Sequence, residues 1–178
     1  MISHPRFSVR VAAIGDAPAI AQVHCDSWRS TYPGLVPQTA IDEWANLDTR
    51  TKGWTQALTT AKSSIWVCEQ AGKIVGFCSA GALTQAVNSA DSQLFALYLN
   101  QDAQRQGIGA ALATTALQAL DRGGHKLVRV EVLAGNLPAI SFYERMGARL
   151  VDSTQFEMSG FPLVELIYVW DDLTKFRT

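Results

Sequence analysis

The segment Gln104-Arg105-Gln106-Gly107-Ile108-Gly109-Ala110 combines residue types that can hold an anion. It follows the apolar run Leu94 to Leu99 and opens a long segment with an apolar stripe. Such a strand, glycine-rich turn and helix present free amides, because the first amides of a helix have no partner within it. The helix dipole adds partial positive charge at that end. Glycine lets a bulky phosphate approach the backbone. Together these features point to a phosphate-bearing cofactor, with a plain tight turn as the alternative. Spacing sets aside two better-known phosphate loops. A Walker loop needs Lys and then Ser or Thr after its last glycine, but Gly109 is followed by Ala110 and Ala111. A dinucleotide fingerprint needs Gly or Ala three residues after its second glycine, and that position is Leu112.

The elements that would position this loop can be read from periodicity and punctuation. Phe7 to Ala13 alternates as a strand, and Asp16 reads as the N-cap of a helix running to about Tyr32. Pro37 to Leu47 and Thr49 to Lys62 read as two shorter helices. Ser64 to Gln70 and Lys73 to Leu83 read as a hairpin around Ala71-Gly72, and Thr84 to Ser92, polar and small, as a loop. Gln93 to Leu99 is a strand, Asn100 to Gln106 its exit loop, and Gly107 to Arg122 an amphipathic helix closed by Gly123-Gly124. Lys126 to Leu133 is a strand, and Leu137 to Met146 a helix capped by Asn136. Arg149 to Phe156 and Val164 to Trp170 pair around Ser159-Gly160. This order predicts an α/β fold with a mixed sheet, in which the fourth and fifth strands run parallel through a right-handed crossover. With no repeat, low-complexity tract or linker, residues 1–178 read as one domain.

Composition narrows the function classes. The chain is 48% hydrophobic and 17% charged, with 15 basic and 16 acidic side chains. That is an ordinary globular composition, and without a basic block it speaks against a nucleic-acid partner. No run approaches the ~20 apolar residues of a membrane span. Arg10, Asp16 and Pro18 interrupt the apolar stretch near the start, which argues against a signal peptide. Cys25, Cys68 and Cys78 form an odd set with no C-x-x-C pair and read as buried reduced thiols of a cytoplasmic protein. His4, His24 and His125 show no ligand spacing, so no metal site is expected.

Downstream of the loop lies a second motif, Asn136, Ala139, Phe142, Tyr143 and Gly147, with the spacing Asn-x-x-Ala-x-x-Phe-Tyr-x-x-x-Gly. Coming after Gln-x-x-Gly-x-Gly, it resembles the GNAT superfamily of acetyl-CoA-dependent N-acetyltransferases. The resemblance extends over most of the chain, including the stretch Trp28 to Pro37 and the closing Glu165 to Trp170. It implies a GNAT-like, mostly antiparallel sheet flanked by helices on both faces. It also implies transfer of acetyl from acetyl-CoA to a primary amine by direct attack. On this resemblance Gln104, Arg105, Gln106, Gly107, Ile108, Gly109 and Ala110 match the pyrophosphate loop. Leu97, Tyr98 and Leu99 match the strand edge that pairs with the pantetheine arm, with the Leu99 amide facing the thioester oxygen. Asn136, and with it Ala139, match cofactor contacts, and Tyr143 matches the tyrosine near the sulfur, a general acid for the leaving thiolate.

The residues leave alternatives open. Tyr143 could be a core aromatic, Asn136 only a cap, and Arg105 a solvated loop residue. Trp28 and Tyr32 could line the acceptor pocket or pack the first helix. Many family members place a glutamate at the start of the fourth strand, where this chain has Gln93, grouped here with the substrate-binding residues. An amide is no base near neutral pH, so a water relay or another carboxylate, such as Glu69 or Glu131, is needed. That departure also motivates a different reading, a non-catalytic acyl-CoA-binding sensor. A nucleotide-binding protein unrelated to coenzyme A is a third. The acceptor is a small-molecule or peptide amine of unspecified identity, and the aromatic C-terminal strand leaves room for a homodimer.

Overall fold

A computed structural model describes residues 7–87 and 89–177, so His4 lies outside the described residues. The strands are β1 (Ser8–Val11), β2 (Ser64–Gln70), β3 (Lys73–Val87), β4 (Ala90–Leu99), β5 (Val128–Leu133), β6 (Arg149–Met158) and β7 (Phe161–Trp170). They form one sheet in the order β1-β2-β3-β4-β5-β7-β6, antiparallel except for the β4–β5 pair. The helices are α1 (Ala17–Thr31), α2 (Gln38–Trp44), α3 (Leu47–Thr60), α4 (Ile108–Arg122) and α5 (Leu137–Arg145). This is the mixed sheet expected from the element order.

One sheet face packs on α4 and α5. Ile108, Leu112, Ala116 and Leu117 meet Leu94, Val128, Val130 and Trp170 there. The opposite face packs on α1, α2 and α3. There Ile20 and Val23 meet Val67 and Phe77, while Trp28 and Ile41 form a second cluster that reaches Leu133 and Leu163.

Some boundaries differ from the expectation. Thr84 to Val87 and Ala90 to Ser92 are strand rather than loop, since β3 runs to Val87 and β4 starts at Ala90. The ladder is made by backbone groups, so small polar side chains facing solvent do not end it. Asp16 does not cap α1. Its carboxylate accepts from Arg10 Nη1 at 2.6 Å and from the Ala13 amide at 2.7 Å, and Ile14–Asp16 form a 3₁₀ turn instead. The last hairpin reaches its tip because Ser159 (φ 50°) and Gly160 (φ 79°) are both left-handed, as a two-residue turn requires.

His24 sits in the α1 face among Trp28, Trp54, Phe77 and Tyr98. Its Nδ1 accepts from the Trp54 indole at 3.3 Å, and its buried Nε2 has no partner among the described residues. Burial, then the charge of Arg50, lowers its pKa from 6.5 to about 3. Below pH 6.5 the unfolded chain takes up a proton that the folded chain refuses. Stability should therefore fall by about 1.4 kcal/mol per pH unit on this account as pH drops from the unfolded value towards the folded one. Urea denaturation at pH 7.5 and at pH 5.5 checks it. The pH-dependent loss should shrink by about 1.4 kcal/mol in His24→Phe, and an equal loss in both proteins contradicts it.

Candidate active site

The β4–β5 ladder is short. Pairing is present at Ser92↔Val128 and Gln93↔Arg129, and no later β4–β5 pair is formed among the described residues. Past this point the two strands diverge and leave one edge of β4 open. The Asn100 amide donates to Val75 O at 2.9 Å, towards β3. Strand amides alternate in direction, so those of Leu97 and Leu99 point to the open edge. The Leu99 carbonyl, on that same side, accepts from Ser27 Oγ at 2.9 Å.

A bulge decides which β4 side chains share a face. Ser79 pairs with Ala96 but Ala80 pairs with Leu94, so Phe95 is the extra residue. Without it, Gln93 and Tyr98 would lie on opposite faces; with it, both face α1. Leu97 and Leu99 pack on the α4 side.

At the end of β4 the chain turns through Arg105 (φ 58°) and Gly107 (φ 85°) into α4. Two left-handed residues so close together aim successive amides into one concavity. Among the described residues the amides of Arg105, Gln106, Gly107, Ile108, Gly109 and Ala110 find no acceptor. The first closed helical bond is Ala111 N to Gly107 O, at 3.0 Å. Gln106 fixes the turn, donating to Asp102 O at 2.7 Å and accepting from Gln70 Nε2 at 2.9 Å. Gln104 and Arg105 are exposed. A Cβ on Gly109 would meet Phe142 at 3.5 Å and Leu99 at 3.8 Å, ordinary contacts. Nothing inside the fold therefore demands glycine there, whereas an incoming ligand would. The loop, the dipole and the open strand edge fit a pyrophosphate with an extended arm.

Phenols approach the cleft from both faces. Tyr143 on α5 is 7% exposed, edge-on to Trp170 at 5.9 Å and to Phe142 at 5.3 Å. Its hydroxyl makes no hydrogen bond to a described residue, and burial, then Cys78 and Tyr98, push its pKa up. From the other face, Tyr98 Oη accepts from the Trp28 indole at 3.2 Å. An indole N–H can only donate, and the Tyr98 hydroxyl also interacts with that of Tyr32. Tyr32 lies against Trp28, ring centroids 4.5 Å apart, and burial and the neighbouring Tyr98 raise its pKa. Trp28 is buried and stacked on Trp44, which leaves Tyr32 as the more open of the two acceptor candidates.

Asn136 caps α5 just past the end of β5. Its Oδ1 accepts from the Ala139 amide at 3.3 Å, while its NH₂ has no partner among the described residues. Ala139 itself packs against the α4-side core.

The two alternative carboxylates separate. Glu69 is on β2, beyond β3, where Arg10 holds it at 2.5 Å beside a shallow cavity of about 360 Å³. Glu131 is on β5 at the point of divergence. Its Oε1 pairs with Arg129, and its Oε2 accepts from Gln93 Nε2 at 3.2 Å. Gln93 is thus tied to a carboxylate that lies next to it in space but 38 residues on in sequence. Glu165, in the closing stretch, is not among the site residues expected from the sequence, although it is the lone charge in the otherwise apolar β7. The cysteines are buried and unpaired, and burial raises the Cys68 thiol to about 11, with Cys78 pushed further up, so neither serves as a nucleophile. Among the described residues no helix is long and apolar enough to cross a membrane.

A profile of the acetyltransferase (GNAT) family matches residues 20–148. The chain is 32% identical, over 96% of both chains, to the uncharacterized N-acetyltransferase YuaI of Bacillus subtilis (strain 168). It is 37% identical over 78 residues to the [ribosomal protein bS18]-alanine N-acetyltransferase of Escherichia coli (strain K12), covering 44% of this chain and 49% of that one. Its fold is shared with PaiA N-acetyltransferase of Thermoplasma acidophilum, solved in complex with coenzyme A. The TM-score is 0.74 over 93% of this chain and 99% of that one, at 18% identity.

Proposed function

The chain belongs to the acetyltransferase (GNAT) family and uses acetyl-CoA, and we propose that its acceptor is a primary amine attacked directly, with Tyr143 as the general acid. The observation that carries this reading is the row of amides from Arg105 to Ala110 without acceptors among the described residues, continuous with the open edge of β4, whose Leu99 packs against the same core cluster as the buried phenol of Tyr143. Bound acetyl-CoA supplies a thioester whose carbonyl carbon accepts the amine and whose sulfur departs.

The roles follow from position. Amides 105–110 hold the diphosphate, helped by the α4 dipole. The Leu97 and Leu99 amides pair with the extended arm, and the Leu99 amide donates to the carbonyl oxygen as it gains charge. Asn136 offers its free NH₂ to the arm. Tyr143 gives its proton to the departing sulfur. Burial keeps this phenol protonated at neutral pH. The same dry surroundings disfavour a thiolate, so they also raise the demand for that proton.

The amine must shed a proton first. Gln93 cannot take it, and Glu69 is two strands away from β4. Glu131, at the divergence of β4 and β5, is the base in this reading. Arg129 and Gln93 each occupy one direction of its carboxylate and leave others for a bridging water. The sensor reading rested on a missing carboxylate, and Glu131 against Gln93 weakens it.

The test is amine-dependent release of thiol from acetyl-CoA over a panel of primary amines, with the acetylated product identified by mass spectrometry. Tight binding of acetyl-CoA without acetylated product from any amine would restore the sensor reading.

A further inference from the structure

We propose that Glu165 holds the ammonium of the acceptor, and that the acceptor is a cationic amine on an apolar body with no carboxylate beside the amine. The inference deepens the acetyl-transfer reading and rests on it for the location of the acceptor.

In the β5–β7 register Glu165 lies opposite Leu133, and Ile167 opposite Glu131. Paired residues project to the same face, so Glu165, Leu133 and Glu131 look the same way. Leu133 and Leu163 pack there against the cluster of Trp28, Tyr32 and Val36, which makes this the α1–α2 face. Glu165 and Glu131 are therefore neighbours on the acceptor side of the cleft.

Their circumstances differ. Glu131 has one oxygen on Arg129 and the other on Gln93. Glu165 is half-buried and makes no hydrogen bond or ion pair with a described residue. Burial pushes its carboxyl above the usual range, against the opposing pull of Arg129. Its charge is also felt by Tyr32 and Tyr98. A carboxylate taken partly out of water without a partner is costly, and a ligand cation relieves that cost. The rings of Tyr32 and Tyr98 would add their negative faces to the attraction. Around them Leu133, Leu163 and Met158 make an apolar surround suited to a hydrocarbon or aryl body.

A carboxylate next to the reacting amine would meet Glu165 and Glu131 together. Arg129 brings one positive charge against two carboxylates and is already paired with Glu131, so the group of Glu165, Glu131 and Arg129 stays net negative towards an incoming carboxylate. Amino acids with a free α-carboxylate should therefore be poor acceptors.

The experiment titrates protein saturated with coenzyme A with 2-phenylethylamine, phenylalanine and the uncharged 2-phenylethanol, by calorimetry. The amine should bind wild type about tenfold more tightly than either other compound. Glu165→Gln should weaken amine binding by about tenfold and leave 2-phenylethanol unchanged, as a lost charge contact predicts. Exposed Glu157 is the charge-matched control, and Glu157→Gln should bind all probes as wild type does. Coenzyme A affinity, measured on each variant, reports whether the cleft is intact. No detectable amine binding by wild type overturns the inference. So does phenylalanine binding as tightly as the amine, a result that needs no variant, or an unchanged amine affinity in Glu165→Gln. Product formation is followed in parallel. Glu165-dependent binding without acetylation leaves this site standing and sinks the transfer reading. Acetylation untouched by Glu165→Gln does the reverse.

Discussion

Replacing Tyr143 with Phe is expected to lower kcat by about 10²–10⁴, the range associated with loss of a positioned general acid, while acetyl-CoA affinity changes by less than about threefold. The substitution is clean on structural grounds. The ring packs edge-on against Trp170 and Phe142, and phenylalanine keeps both contacts. The hydroxyl makes no hydrogen bond to a described residue, so its removal orphans no buried partner. Thermal stability should therefore stay near that of wild type, and lost turnover can be assigned to the proton. Tyr98 is the informative contrast. Its hydroxyl accepts from the Trp28 indole, so Tyr98→Phe strands a buried donor and should cost about 1–3 kcal/mol of stability. Steady-state kinetics and thermal melts on both variants separate a chemical role from a structural one. Equal kcat in wild type and Tyr143→Phe would remove Tyr143 from the mechanism.

The sequence disclosed the glycine turn that opens α4 because the signal there is local. Gly107 at left-handed φ, the free first turn and the apolar stripe of α4 all lie within one short stretch. The Asn136 cap and Tyr143 on the same helix were legible for the same reason. Long-range pairing was not. Asp16 has the chemistry of a helix cap, yet Arg10 across the turn claims its carboxylate, and propensity carries no information about such a competitor. The hydrogen bond from Gln93 to Glu131, 38 residues on, is another contact that spacing along the chain does not reveal. Glu165 became conspicuous only through strand register, which sets it on the same face as Leu133 and Glu131. The Phe95 bulge is another such case. A single extra residue, invisible to a period-two reading, brings Gln93 and Tyr98 to one face, the one that α1 covers.

The cradle itself is tested most severely by Gly109→Glu, which should weaken acetyl-CoA binding by about 100-fold or more, the loss of roughly two charge-assisted hydrogen bonds. Gly109 is in the first turn of α4, where its amide and those beside it have no acceptor among the described residues. A Cβ there meets only ordinary contacts with Phe142 and Leu99, so the fold admits a side chain. A carboxylate in a first helical turn favours the helix by about 0.3–1 kcal/mol. It would occupy the field and the amides that the diphosphate needs, and would repel the diphosphate as well. Stability and binding are thus expected to move in opposite directions: a melting temperature equal to or slightly above wild type, with cofactor affinity lost. Misfolding lowers both together, so it cannot imitate this result. Gly109→Ala adds bulk without charge and should fall between, losing affinity only as far as a methyl group crowds the diphosphate. Calorimetric titration with acetyl-CoA and thermal denaturation of the same samples provide the two readings. Undiminished binding by Gly109→Glu would mean that the diphosphate lies away from the α4 amides. Tyr143 would then have no fixed relation to the departing sulfur.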